Sequence, residues 1–111
     1  MKAWEAPPWT MGLGMVSKRV SVKLLGAFKK AYGKEQVLLE LKRNEKLRDV
    51  VQRLADASED LRRALVDPEL EDPRPNAIIL VNGREIGLLQ GLETEVGDND
   101  EVAFIPVIHG G

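Results

Sequence analysis

The chain reads as an α+β domain: a mixed four- to five-stranded sheet with one main helix packed on one face. Three features predict it. The stretch "RVSVKLL" from Arg19 alternates apolar and polar residues with the period of a strand. Leu47, Val50, Val51 and Leu54 then recur at helical spacing, one apolar stripe on an amphipathic helix. Finally "AIILV" (Ala77–Val81), followed at once by Asn82-Gly83, restarts a β pattern that runs to the end of the chain. At 111 residues there is room for one modest core and not two.

Taken in order, the first strand points Val20, Val22 and Leu24 one way and Ser21 and Lys23 the other. Gly33 marks a turn, and "QVLLEL" (Gln36–Leu41) is a second strand, so the two form an antiparallel hairpin with a loop longer than two residues. Asn44 is predicted to cap the helix, with Glu45 in its first turn where a negative charge suits the helix dipole. Ser58 is predicted to cap a second short helical stretch carrying Leu61, Ala64 and Leu65. "DPELEDPRPN" holds three prolines among clustered acids and is expected to be a loop, the most tolerant part of the domain. Ala77–Val81 is continuous enough to suggest a strand buried on both faces, and "REI" returns from the Asn-Gly turn. "GLLQGLETEV" reads as a turn-rich connection. "GDND" reads as a turn, since its acids lack the spacing of a calcium loop. "EVAFIPVI" closes the domain as a strand in which Pro106 removes a ladder donor and helps end the pairing. The helix provides the crossover that lets this last strand run parallel to the first. Both would then be central, and the C-terminus would leave from the middle of the sheet.

Composition removes several functions. Apolar residues make up 43% and charged residues 31%, as in ordinary globular domains, and no run is long enough to span a membrane. There is no cysteine and a single histidine, His109, which excludes disulfides, thiolate chemistry and a His-based metal cluster within one chain. The lack of cysteine fits a cytoplasmic location. Residues 1–55 hold 12 Lys/Arg against 5 Asp/Glu, and residues 56–111 hold 4 against 13. Without interleaved aromatic residues this is not the pattern of a single-strand nucleic-acid binder, and folding is expected to interleave the two halves. Residues 1–18, with both tryptophans and two adjacent prolines, read as a flexible N-terminal extension; residues 19–111 read as the domain with an exposed Gly-Gly tail.

The stretch "ILVNGREI…GLETEVGDNDEVAFIPVIHGG" resembles the ubiquitin-like sulfur carriers: the small subunit of molybdopterin synthase, the thiazole sulfur carrier and the ubiquitin-related modifier. "EVAFIPVIHGG" is similar to the molybdopterin-synthase small-subunit tail, which typically has a second proline where Val107 stands here. "IHGG" and "GLLQGLE" look more like the ubiquitin-related modifier. The likeness covers Val20–Gly111 and implies the β-grasp, or ubiquitin-like, roll. It also implies that the Gly111 carboxyl, at the end of Gly110–Gly111, is adenylated by an E1-like enzyme and converted to a thiocarboxylate. The chain would then be a carrier and not an enzyme, as in the non-catalytic small subunit of molybdopterin synthase. It would bind no cofactor itself; ATP and Mg²⁺ would be used by the activating partner.

The residues suit that chemistry. A carboxylate is a poor electrophile until adenylation makes it one, and only glycine lets a backbone pass through a narrow channel without a Cβ in the way. Val107, Ile108 and His109 are expected to form the partner-binding tail: the β-branched Val107 and Ile108 would stiffen the approach, and His109 would either hydrogen-bond the tail inside the partner or serve as a solvent-exposed spacer. Phe104 is open to two readings, core or partner interface. Ile105 and Val107 would lie on the opposite face, near the tail, as a docking surface. The expected partners are the E1-like enzyme and a sulfur acceptor such as the molybdopterin synthase large subunit or a tRNA thiolation enzyme. Lysines of target proteins are partners in the alternative reading, a modifier conjugated through its C-terminal glycine. A third reading is a ubiquitin-like interaction domain with an inert terminus. Neither direct nucleic-acid binding nor a membrane is expected.

Overall fold

In the computed structural model, which describes residues 18–108, strand β1 (Lys18–Leu24) buries Val20, Val22 and Leu24 completely and leaves Arg19 and Lys23 in solvent. It pairs antiparallel with β2 (Gln36–Leu41), from Lys18↔Leu41 to Lys23↔Gln36. The strands are the predicted ones, but their connection is not a loop. It contains helix α1 (Gly26–Tyr32), closed by Gly33, whose N–H bonds back to the Lys29 carbonyl at 2.8 Å from a left-handed conformation (φ 94°). Phe28 is the only fully buried side chain of α1. A single anchor in two turns leaves no apolar stripe to read.

The main helix α2 (Leu47–Ala57) buries Leu47, Val50, Val51 and Leu54, the predicted stripe. Its entrance differs from expectation. Residues Glu45 and Lys46 form a short strand, β3, that pairs with β6 (Glu95–Val96), so Glu45 lies outside the helix. Asn44 is not the cap; its side-chain oxygen accepts from Lys18 Nζ at 3.1 Å. The first turn is closed by Asp49, which accepts from the Lys46 N–H at 3.3 Å. The cause is tertiary: a second, two-stranded sheet takes up the residues that local capping would have used. Helix α3 (Glu59–Leu65) follows expectation, with the Ser58 hydroxyl accepting from the Leu61 N–H at 3.1 Å and Leu61 and Leu65 buried.

The proline-rich loop is more ordered than its composition suggests. A β-bridge between Asp67 and Asp72 closes its first half, and Asp67 Oδ1 accepts from the Glu69 and Leu70 N–H groups. Asp72 takes the Arg74 backbone N–H at 2.8 Å and its guanidinium at 2.6–3.1 Å. That guanidinium holds the Asp72 carboxyl below its ordinary pKa.

Strand β4 (Ala77–Val81) is buried on one face only: Ala77, Ile79 and Val81 are inside, while Ile78 is 44% exposed. The helices contribute their buried side chains to the same cluster as these inward residues, which leaves the other face of the sheet open. Asn82 and Gly83 both have positive φ (52° and 83°), as the predicted turn requires, and lead into β5 (Arg84–Glu85). Two short 3₁₀ turns (Ile86–Leu88 and Gly91–Glu93) fill the turn-rich connection. "GDND" is a turn whose acids accept backbone N–H groups: Asp98 from Arg19 at 2.9 Å and Asp100 from Gly97 at 2.7 Å.

Strand β7 (Glu101–Pro106) completes a five-stranded sheet of order β2-β1-β7-β4-β5, parallel to β1 and antiparallel to β4. The opening and closing strands are thus neighbours at the centre. The basic and acidic halves of the chain interleave, through Lys23–Glu101 (3.4 Å), Lys46–Glu93 (2.8 Å) and Arg48–Glu93.

Phe104 is fully buried at the centre of the sheet. Phe104→Ala should lower unfolding free energy by about 3–5 kcal/mol in chemical denaturation, the range for deleting a buried aromatic ring. Asp72→Asn keeps an acceptor for the Arg74 N–H and removes only the charge, and should cost roughly 1 kcal/mol at neutral pH. Because the folded Asp72 pKa is depressed, the wild-type advantage is present above the ordinary aspartate range and disappears as pH falls through the folded value. The two denaturation curves should converge in acid.

Candidate functional site

The place where the chain leaves the sheet is built by residues far apart in sequence. Inside β7, Val102 and Phe104 face the core, fully buried, which anchors the strand from below. The Leu25 N–H donates to the Phe104 carbonyl at 3.2 Å. Just beyond, Gly26 adopts φ 55°, and the Pro106 ring occupies the space beside it: a Cβ on Gly26 would stand 3.1 Å from the proline Cγ. On the other flank, the Val107 N–H donates to the Asn76 carbonyl at 2.9 Å. Asn76 in turn donates its side-chain amide to the Leu65 carbonyl at the end of α3, at 3.2 Å. Val107 is therefore still held, whereas Ile108 is 91% exposed. His109, Gly110 and Gly111 lie outside the described residues.

Of the residues proposed for a docking surface, Phe104 does not belong there. It is a core residue, because the strand's alternation places it on the helix side with Val102. Ile105 points the other way and lies directly opposite Ile78, while Ala103 is flanked by Leu80 and Lys23. These four apolar side chains form a partly exposed patch on the open face, beside the exit of the chain. Val107 is partly covered at its edge. Leu38, 59% exposed on β2, extends the apolar surface past Ser21. Ile78 and Leu80 carry no signal in the sequence, since "AIILV" reads as buried throughout. Their register against β7 is what turns them outward. Asn76 and Gly26 were hidden for the same reason, one in a loop and one in a connection.

Among the described residues there is no group of three or more His, Asp or Glu placed to hold a metal ion. A shallow groove between α2, α3 and the 67–73 loop is lined by Arg48, Gln52, Ala55, Arg62, Val66 and Pro73. Its cations are engaged with carboxylates, Arg48 with Glu93 and Arg62 with Asp56. Beside it, hydrogen bonds from Lys46 and Arg48 keep the Glu93 carboxyl below its ordinary pKa, and Glu93 raises the Lys46 ammonium in return. No described helix is long and apolar enough to cross a membrane. What the fold presents is a rigid strand end, an apolar platform beside it and a short segment leading outward.

Known proteins carry the same architecture. A candidate sulfur carrier protein of Archaeoglobus fulgidus is 49% identical over 37 residues, 33% of this chain and 42% of that protein. A ubiquitin-related modifier 1 homolog of Drosophila willistoni is 45% identical over 38 residues, 34% of this chain and 38% of that protein. These alignments span about two-fifths of the length of the curated relatives. The solution structure of small archaeal modifier protein 1 from Methanosarcina acetivorans superposes with a TM-score of 0.71 at 31% identity, covering 86% of this chain and 99% of that one. That likeness extends to the β-grasp, ubiquitin-like fold as a whole. The model of the ThiS family matches residues 22–111, from within β1 through the final glycine. Fold likeness and family match agree, and the chain belongs to the ThiS family, whose members are small sulfur carriers and ubiquitin-like proteins that serve enzymes as non-catalytic partners.

Proposed function

We propose that this protein is a sulfur carrier whose Gly111 carboxyl is adenylated by an E1-like enzyme and converted to a thiocarboxylate. The observation that carries this reading is the exit geometry. A strand locked between two neighbours delivers the chain at Val107, four residues before Gly111, beside an exposed apolar platform. A carboxylate oxygen of Gly111 attacks the α-phosphate of ATP, releasing pyrophosphate. A donor at the oxidation level of sulfide then displaces AMP, leaving sulfur in place of one oxygen. ATP and Mg²⁺ belong to the activating enzyme. The glycines suit a narrow approach to the nucleotide because neither carries a Cβ. Ordering the last residues costs about 1–2 kcal/mol each, which contacts along the enzyme's channel must offset.

The acceptor would be a sulfur-inserting enzyme such as the molybdopterin synthase large subunit or a tRNA thiolation enzyme. The likeness to modifier proteins favours a second reading, in which the activated carboxyl joins lysines of target proteins as an isopeptide. Both uses share the adenylate and differ in the nucleophile that displaces AMP.

The intact mass should be measured after incubation with Mg-ATP, a sulfide donor and the activating enzyme of the same source. Replacement of one oxygen by sulfur, present in the full chain and absent from a Gly111-deleted chain, is the expected result. Tail-dependent adducts on lysines would favour the modifier. No change with a demonstrably active enzyme would mean an inert terminus and an interaction domain. Ile78→Glu, on the open face, should raise the apparent KM for activation by roughly ten-fold or more through loss of a buried apolar contact. Its melting temperature, measured in parallel, should fall far less than that of Phe104→Ala.

A further inference from the structure

The segment that leaves the sheet is pinned at two consecutive residues by elements with no other reason to meet there. At Pro106 the pin is steric: the ring packs against Gly26 at the start of α1, and φ 55° at Gly26 together with the 3.1 Å approach leaves a side chain no comfortable place. At Val107 the pin is a hydrogen bond, 2.9 Å to the Asn76 carbonyl. That carbonyl is itself fixed. The Asn76 N–H donates to the Pro73 carbonyl at 2.9 Å, and its side-chain amide donates to the Leu65 carbonyl at 3.2 Å. Leu65 is fully buried in the core, so the path from core to exit runs Leu65, Asn76, Val107. One residue thus serves three purposes: its side-chain amide satisfies a free carbonyl at the C-terminus of α3, its backbone N–H closes the last turn of the proline-rich loop, and its backbone carbonyl is the acceptor for Val107.

We propose that Asn76 is a positioning residue for activation of the tail, acting through Val107 to fix where and in what direction the last four residues leave the domain. The inference rests on the carrier reading above. Its physical basis is conformational entropy. Any residue not already ordered in the free protein must be ordered when the tail enters a partner's channel, at about 1–2 kcal/mol each. Holding Val107 in the free protein removes it from that cost and fixes the direction in which the backbone leaves β7. Asn76 acts through Val107, four positions before Gly111 in sequence, so its effect should appear in the capture of the carrier and not in the chemical step. That corresponds to a change in KM with kcat preserved.

The test uses the full chain and its activating enzyme, with pyrophosphate release as the rate and the carrier as the varied substrate. Asn76→Asp keeps the shape and deletes the donor to Leu65; Asn76→Ala deletes the whole side chain, and both leave the backbone carbonyl that accepts from Val107 without its anchor to α3. Both are expected to raise the carrier's KM, on the order of ten-fold, with kcat within about two-fold of wild type. Amide hydrogen exchange read at Val107 should be slow in the wild type, comparable to Ala103 within β7, and should speed up selectively at Val107 in both variants. Asn76→Gln, which retains an amide donor, should recover part of the KM. Wild-type KM in both Asp and Ala variants, or a fall in kcat at constant KM, would overturn the proposal. So would rapid exchange of Val107 in the wild-type protein, a measurement that needs no variant to fold. A wild-type chain that the enzyme does not activate at all would sink the carrier reading. An active wild type with unaffected variants would sink only the role of Asn76.

Discussion

Strands from opposite ends of the chain, β1 and β7, lie side by side and parallel at the centre of the sheet, from Ser21↔Glu101 to Leu24↔Phe104. Parallel neighbours cannot be joined by a tight turn, so the chain between Leu25 and Asp100 has to cross over one face of the sheet before the closing strand can run beside the first. That requirement puts the helices over one face, where Phe28, Leu47, Leu54 and Leu61 pack onto Val20, Val22, Val102 and Phe104 in a single cluster. It also leaves β2 and the β4–β5 pair to flank the centre. Because the pairing closes the longest loop in the chain, it is costly to form and cooperative once formed.

The same constraint separates structure from function within one strand. Alternate residues of β7 go inward to the core or outward to the open face, so Phe104 stabilises the domain while Ala103 and Ile105 lie partly exposed on the open face. A central strand has a neighbour on each side and cannot fray sideways, and its end is consequently the most reproducible point from which a chain could leave. The ion pairs that link the basic and acidic halves, Lys23–Glu101 and Lys46–Glu93 among them, are largely exposed. They contribute little to stability individually but join segments that the sequence keeps well apart.

Some elements were legible because their cause is local. The stripe of Leu47, Val50, Val51 and Leu54 needs no partner to be recognised, nor does the Ser58 cap or the positive-φ pair Asn82-Gly83. Others were misread because a local rule met a stronger distant one. Asn44 has the chemistry of a cap, yet it bonds Lys18 because β3 pairs with β6 just before the helix begins. "AIILV" has the composition of a doubly buried strand, yet Ile78 faces solvent because no layer covers that side of the sheet. The loop before β4 looks tolerant by composition, yet its last residue, Asn76, holds the exit.

The sequence alone determined the main strands, the stripe of α2, the Ser58 cap and the Asn82-Gly83 turn, since hydrophobic period and turn residues are properties of neighbours along the chain; α1, β3 and β6 left no such signal. It also carried the family likeness, which runs from β1 to the final glycine. Only the tertiary structure decided which face of each strand is covered, that Phe104 is core, and that Gly26 and Asn76 meet Pro106 and Val107. Those outcomes depend on register and on which layer lies where, and both are set by the long-range pairing of β1 with β7, a contact that no local pattern encodes.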